Sequence, residues 1–344
     1  MTTRAAPGGR LRAYAEFLAA VFYFLLARTM AHQAALVLGQ GALSALGSPV
    51  AEQLMLALLL LMGYAAMGFW LDRQMHPFSA QGFPRRQGFV REAGIGLATG
   101  WGLAVVCVLP MVLVGGIAVS FSGDALSWEW LAADAVFFAL VALVEEVAFR
   151  GYGFQSFARA LGPVGATLGF AVYYALIQNM LFGSSGASVA VSVALGLVLA
   201  TAYLRTRALW LSWGLNFGWK ASQALLFGLA LSGDSSRSPV VQGDPMGPFW
   251  VTGGGFGLNG TWVTFLLLLL AIPVVFRVTR DLDFRYNAPE LVPGGIPVDL
   301  DAAARAQHEA AMGPAEPAAP ALVQIAAAPQ PVRRENGADR EDGV

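Results

Sequence analysis

"VEEVAFRG", residues 144–151, sets two adjacent glutamates and an arginine inside an otherwise apolar run. How that run is read decides the fold. The chain of 344 residues is 56% hydrophobic and only 12% charged, with a mean hydropathy of +0.59. Soluble domains of this length do not have that composition. Runs of about 18 or more nearly uncharged residues recur, enough to cross roughly 30 Å of hydrocarbon as helices. They are continuously apolar and do not alternate, which argues against a β-barrel. The expected fold is all-α, a polytopic membrane helix bundle, with the charges of 144–151 at membrane depth.

The remaining segments follow outward from that stretch. Residues 1–12 form a polar N-terminus with Arg4, Arg10 and Arg12. Helices are expected near 13–38 (read as an uncleaved signal anchor), 50–71, 93–119, from Trp130 through the opening stretch to Arg159, then 163–182, 187–205, 208–231 and 261–278. That is about eight transmembrane helices within a membrane domain of 13–286. Loops after the second, fourth, sixth and eighth helices hold Arg73, Arg85, Arg86, Arg91, Arg159, Arg205, Arg207, Arg277, Arg280 and Arg285, whereas the intervening loops hold almost none beyond Arg237. The positive-inside rule then puts both termini in the cytoplasm of a multi-pass cell-membrane protein. Residues 287–344 are Ala/Pro-rich with scattered charge and read as a disordered cytoplasmic tail. The net charge of −1 says nothing about nucleic acid, but binding it would want a basic face and the arginines here fall in membrane-flanking loops, so no nucleic-acid partner is expected.

Charges at membrane depth are costly and mark function by default. Four places carry polar groups in the spans: Glu145 and Glu146 with Arg150; Gln178 and Asn179; Asn216; and Lys220, the only lysine in the chain. Glu146 and Arg150 are four residues apart, as are Asn216 and Lys220, so each pair shares a helix face. Glu145 points about 100° away from Glu146. Arg150 is therefore expected to neutralise Glu146, leaving Glu145 to face the helices that carry Gln178, Asn216 and Lys220. If the fourth helix runs to Arg159, all of these groups lie roughly 14–22 Å from the arginine-bearing ends.

With those residues in hand, the stretch 128–230 resembles the CPBP family, the CAAX proteases and bacteriocin-processing enzymes also called Abi. The family motif EExxxR is matched in full by Glu145, Glu146 and Arg150. The place of FxxxH is taken by "YALIQ", Tyr174 to Gln178, and that of HxxxN by "NFGWK", Asn216 to Lys220. The resemblance implies an intramembrane endopeptidase in which the first glutamate activates water, a histidine assists it, and the His/Asn pair binds metal or steadies the oxyanion. Here both histidine positions are lost, to Gln178 and Asn216. The three histidines of the chain, His32, His76 and His308, are not placed to substitute.

Two carboxylates, neutral amides and an ammonium are a poor donor set for a divalent cation, so neither a metal nor another cofactor is expected. Three functional readings stay open. In a slow, metal-free peptidase, Glu145 activates water and Asn216 and Lys220 hold the oxyanion, with a rate penalty of about 10²–10⁴ for the missing acid–base group. In a non-catalytic relative, Lys220 pairs with Glu145, and the protein binds peptides, a membrane-protein segment or a partner without cutting. In an ion- or proton-coupled transporter, the same pair gates transport, although no internal repeat supports that class. The partners implied are a peptide or membrane-protein substrate and the lipid bilayer.

Weaker signals have plainer readings. Cys107 has no thiol partner and reads as a small hydrophobe. Gly96 and Gly100 have the spacing of a close-packing helix face. "TGGGFGLNG", 252–260, lacks the Lys-Ser/Thr of a phosphate loop and reads as a connection into the last helix. Ser184 and Ser185 lack a histidine base and read as turn residues.

Overall fold

The computed structural model describes residues 7–39, 47–84, 86–114, 116–182, 184–231, 238 and 240–282. The tail 287–344 and residues Arg4, Arg85, Arg237, Arg285 and His308 lie outside the described residues.

The described chain is almost entirely helical: α1 (Pro7–Gly39), α2 (Gly47–Asp72), the short α3 (Pro77–Ala80), α4 (Phe89–Leu113), α5 (Ala125–Arg150), α6 (Tyr152–Phe182), α7 (Gly186–Thr206), α8 (Leu209–Ala221), the short α9 (Phe249–Thr252) and α10 (Trp262–Val278). A single π-helical turn, Ser222–Leu226, continues α8, and a 3₁₀ segment, Gly254–Gly260, leads into α10. Five stretches are long and apolar enough to cross a membrane: Gly9–Leu38, Gly47–Asp72, Phe89–Leu113, Gly186–Thr206 and Gly254–Val278. This is a multi-pass membrane protein.

Five is fewer than the eight spans the sequence suggested. The three that fall short are α5, the latter part of α6, and α8. They hold Glu145, Glu146 and Arg150; Gln178; and Asn216 and Lys220. Polar side chains lower the apolarity of all three, and α8 is only 13 residues long before its π turn. The polar chamber is thus built largely from the three helices that fall short of a lipid crossing, with the other five supplying most of the frame.

Several boundaries also differ from expectation. The fourth helix does not run to Arg159. It ends at Arg150, and Gly151 opens a new helix. That helix is itself kinked at Gly162, which takes a left-handed backbone (φ 85°) just before Pro163. Glycine adopts that conformation freely, and the proline ring has no N–H to give the preceding turn. The rise arithmetic that assumed one continuous helix to Arg159 therefore does not hold. The third long helix stops at Leu113 instead of 119, because residues 117–121 form strand β1 (Ile117–Phe121). It pairs antiparallel with β2 (Val241–Pro245), so the fold carries a two-stranded sheet within an otherwise helical frame.

Helix ends are set locally. Asp124 caps α5 by accepting from the Ser127 N–H, and Ser185 and Ser188 form a reciprocal capping box on α7. Thr261 caps α10 in the same way. Ser184 and Ser185 therefore belong to a turn and cap. Helices α4 and α8 pack at close range. Gly96 and Gly100 on α4, and Gly214 and Gly218 on α8, each meet the backbone of the other helix, and a Cβ at any of them would collide with a carbonyl oxygen. The small-residue face of α4 is thus consumed inside the chain. Cys107 is a free, buried thiol in the core.

Candidate functional site

The site is assembled from α5, α6, α7 and α8. Glu145 lies near the C-terminal end of α5 and accepts from four side chains. On Oε1 it receives Gln178 Nε2 at 2.6 Å and Lys220 Nζ at 3.1 Å. On Oε2 it receives Asn216 Nδ2 at 2.9 Å and the Tyr174 hydroxyl at 3.3 Å. An ionised carboxylate offers about four lone-pair positions, so its acceptor capacity is filled by protein donors.

Glu146 is fully buried and turned to the other side of α5. Its Oε1 pairs with Arg150 Nη1 at 2.9 Å, with both side chains 2% exposed or less. The Asn216 amide also reaches that oxygen at 3.3 Å, so one side chain bridges the two carboxylates. The Arg150 guanidinium lies 5.5 Å from the Tyr174 ring centroid, a cation–π contact inside a low-dielectric core. Glu145, Glu146, Arg150, Gln178, Asn216 and Lys220 thus all converge. Asn179 does not join them: it faces α7, donating to Ala175 O at 2.8 Å and accepting from the Ser188 hydroxyl at 2.7 Å.

Two clefts reach this cluster. The first is narrow, with about 50 Å³ of open space, and is lined by Glu145, Tyr174, Gln178, Lys220, Ser192 and Asn259 together with Phe137, Val141 and Trp219. The second, with about 190 Å³ of open space, lies towards α1 and α2 and is lined by Glu145 and Gln178 with Phe24, Arg28, Glu52, Gln53, Leu56 and Phe149. The Glu145–Gln178 hydrogen bond is common to both walls.

The donor set does not suit a divalent cation. Lys220 occupies the positive position beside Glu145 and Arg150 occupies it beside Glu146, and a metal ion would meet both at close range. No group of three or more His, Cys, Asp or Glu side chains able to hold a metal occurs among the described residues. His32 has Nδ1 3.3 Å from Glu52 and, among the described residues, no hydrogen bond to the cluster's side chains. His76 stands at the start of α3.

Residues 127–222 match the family model described as Type II CAAX prenyl endopeptidase Rce1-like. The matched segment holds every residue of the cluster and under a third of the chain. Helices α1 to α4 with β1, and the chain from Gln223 onward, lie outside it. Neither the curated proteins nor the solved structures contain a match to this chain.

Two participants were not singled out from sequence. Tyr174 was read only as the aromatic position of a motif, yet it donates to Glu145. Its place one helical turn before Gln178 was the available signal. Glu92 on α4 is fully buried and pairs with Arg86 at 2.7 Å, so part of the arginine cluster after α2 serves an internal ion pair. Arg159, expected at a loop, bridges Asp72 at 2.7 Å and Glu16 at 2.9 Å and ties α6 to α2 and α1.

Proposed function

We propose that this protein is a CAAX-protease-like membrane protein that holds a peptide or a membrane-protein segment in its polar chamber without efficient hydrolysis. The observation that carries this reading is the saturation of Glu145. A general base must accept a water proton within hydrogen-bond reach, and here Gln178, Lys220, Asn216 and Tyr174 already occupy its acceptor positions. Lys220 satisfies the buried charge as a resident cation, which makes an ion pair the resting state of the chamber. Gln178 cannot relay a proton, as a histidine there would.

On this reading α5, the part of α6 after Gly162 and α8 with its π turn complete eight spans. The arginine-bearing ends and both termini face the cytoplasm of the cell membrane. The test is a peptide-cleavage assay on the purified full chain, with and without chelator, using wild type, Glu145→Gln and Lys220→His. No Glu145-dependent cleavage is expected from wild type. Chelator-insensitive cleavage by wild type that Glu145→Gln abolishes would replace this reading.

That second reading, a slow metal-free peptidase, is favoured by one feature: the cleft that opens on the Glu145–Lys220 pair, whose open space of about 50 Å³ has room for water. If Lys220 swings from Glu145 into that space, one oxygen is freed for water, and the ammonium and the Asn216 amide stand ready as oxyanion donors.

A further inference from the structure

The second cleft contains a charge that neither the family match nor the Glu145 cluster uses. Arg28 lies on α1 within the apolar stretch Gly9–Leu38, half-buried, one turn from buried Phe24 and one turn from His32. Arg86, Arg150 and Arg159 each pair with a carboxylate, and half-buried Arg205 donates to the Thr279 hydroxyl. Among the described residues, Arg28 has neither a hydrogen bond nor an ion pair, and the nearby Glu52 is engaged with His32. An unpaired guanidinium at membrane depth is costly to keep, and this one lines the cleft that ends on Glu145 and Gln178.

We propose that this cleft is the peptide-binding cleft and that Arg28 is its carboxylate-recognising residue. The ligand class is an apolar peptide segment bearing one carboxylate. The inference rests on the reading that the chamber holds a peptide, and deepens it. About 190 Å³ of the cleft is open, room for a side chain or a chain end rather than for a whole ligand. Its walls are mainly apolar, with Phe24, Leu56, Val144 and Phe149 between Arg28 and Glu145, which suits an apolar stretch. The planar guanidinium fork matches one carboxylate in bidentate fashion, and the Gln53 amide lines the same cleft as a further donor. Glu52 on the same wall opposes a doubly charged phosphate more than a singly charged carboxylate.

The cleft also has a direction. Gln178 is roughly 6 Å of helix from the end of α6, and Gln53 roughly 9 Å from the start of α2. The arginine-bearing ends are farther, with Gln53 roughly 28 Å from Asp72 along α2. A peptide therefore enters from the side opposite the arginine-rich loops.

The experiment measures equilibrium binding of fluorescent apolar peptides to the full chain in zwitterionic nanodiscs. Three peptides of one sequence are compared: free C-terminal acid, C-terminal amide, and amide with an aspartate near the end. Wild type is expected to bind the free acid roughly tenfold tighter than the plain amide, the size of one charge-assisted hydrogen bond. The aspartate peptide shows whether a side-chain carboxylate serves as well as a terminal one. Arg28→Gln should erase the acid preference, so that the variant binds acid and amide alike, and Arg28→Lys should keep part of it. Equal binding of acid and amide by wild type would overturn the role of Arg28 while leaving the peptide-holding reading intact. Absence of binding by all three peptides would overturn both. Displacement of bound free acid by vesicles of anionic phospholipid, with no acid-over-amide preference, would assign Arg28 to a lipid headgroup instead.

Discussion

Glu145 and Glu146 are neighbours in sequence and opposites in environment. Glu146 with Arg150 forms a closed, fully buried pair, whereas Glu145 and its Lys220 partner are 11% and 12% exposed at the foot of a cleft. Removing one member of a fully buried pair leaves the other charge uncompensated, at a cost of about 3–5 kcal/mol. Glu146→Gln should therefore lower stability by about that much. Glu145→Gln should cost clearly less, because water at the cleft screens Lys220 and an amide can still accept from Asn216 or Tyr174. Denaturant unfolding of the two variants in the same detergent checks this, and an equal or reversed order would refute the assignment of roles. At this scale the sequence was informative where spacing speaks: the four-residue intervals Glu146–Arg150 and Asn216–Lys220 carried facing information. It was silent on Tyr174 and Arg28, since an aromatic in an apolar helix and a lone arginine in a long span have no sequence neighbour that reveals their partner.

At the scale of elements, the α4–α8 contact fixes where Asn216 and Lys220 stand. Gly100→Ala would push a methyl group into a backbone carbonyl of α8, whereas Gly102 on the same helix meets nothing within 4 Å. Gly100→Ala should destabilise the fold by about 1–3 kcal/mol, as overpacking does. Gly102→Ala should be neutral or slightly stabilising through helix propensity. Similar melting temperatures for the two would show that the close approach is unimportant. The N-terminus of α5 offers a pH test. Hydrogen bonds from the Ser127 hydroxyl, the Ser122 hydroxyl and the Ser127 N–H hold the Asp124 carboxyl below the usual carboxylate range. A lowered native pKa stabilises the cap above the unfolded value, and that stabilisation fades as pH falls through the native one. Amide exchange at Ser127 and Trp128 should accelerate on acidification below about pH 4 in wild type and be insensitive to pH in Asp124→Asn once intrinsic exchange is corrected. Helix existence was legible from apolar run length. The break at Gly151, the kink at Gly162 and the pairing of β1 with β2 were not, because a glycine in an apolar run reads alike in a helix and at its end, and strand pairing over more than 100 residues leaves no local trace.

For the whole molecule, division of labour follows from the distribution of apolarity. Five stretches meet the demands of a lipid crossing, and three helices that do not carry most of the polar chamber. The orientation proposed from arginine placement is open to direct labelling. In a Cys107→Ala background, Ser184→Cys on the exposed α6–α7 turn should react with a membrane-impermeant maleimide on intact cells. Arg91→Cys, at the exposed start of α4, should react only after permeabilisation. The opposite pattern would invert the topology and, with it, the side from which the peptide cleft is entered.

The central claim is that Glu145 and Lys220 form a standing ion pair that closes the chamber. A double-mutant cycle on unfolding free energy, comparing wild type, Glu145→Gln, Lys220→Met and the double variant, measures it most directly. A coupling energy of about 1 kcal/mol or more, with the double variant more stable than the sum of the single losses predicts, is the expected result. Additive losses within about 0.3–0.5 kcal/mol would mean that the two charges do not depend on one another, and would contradict the account.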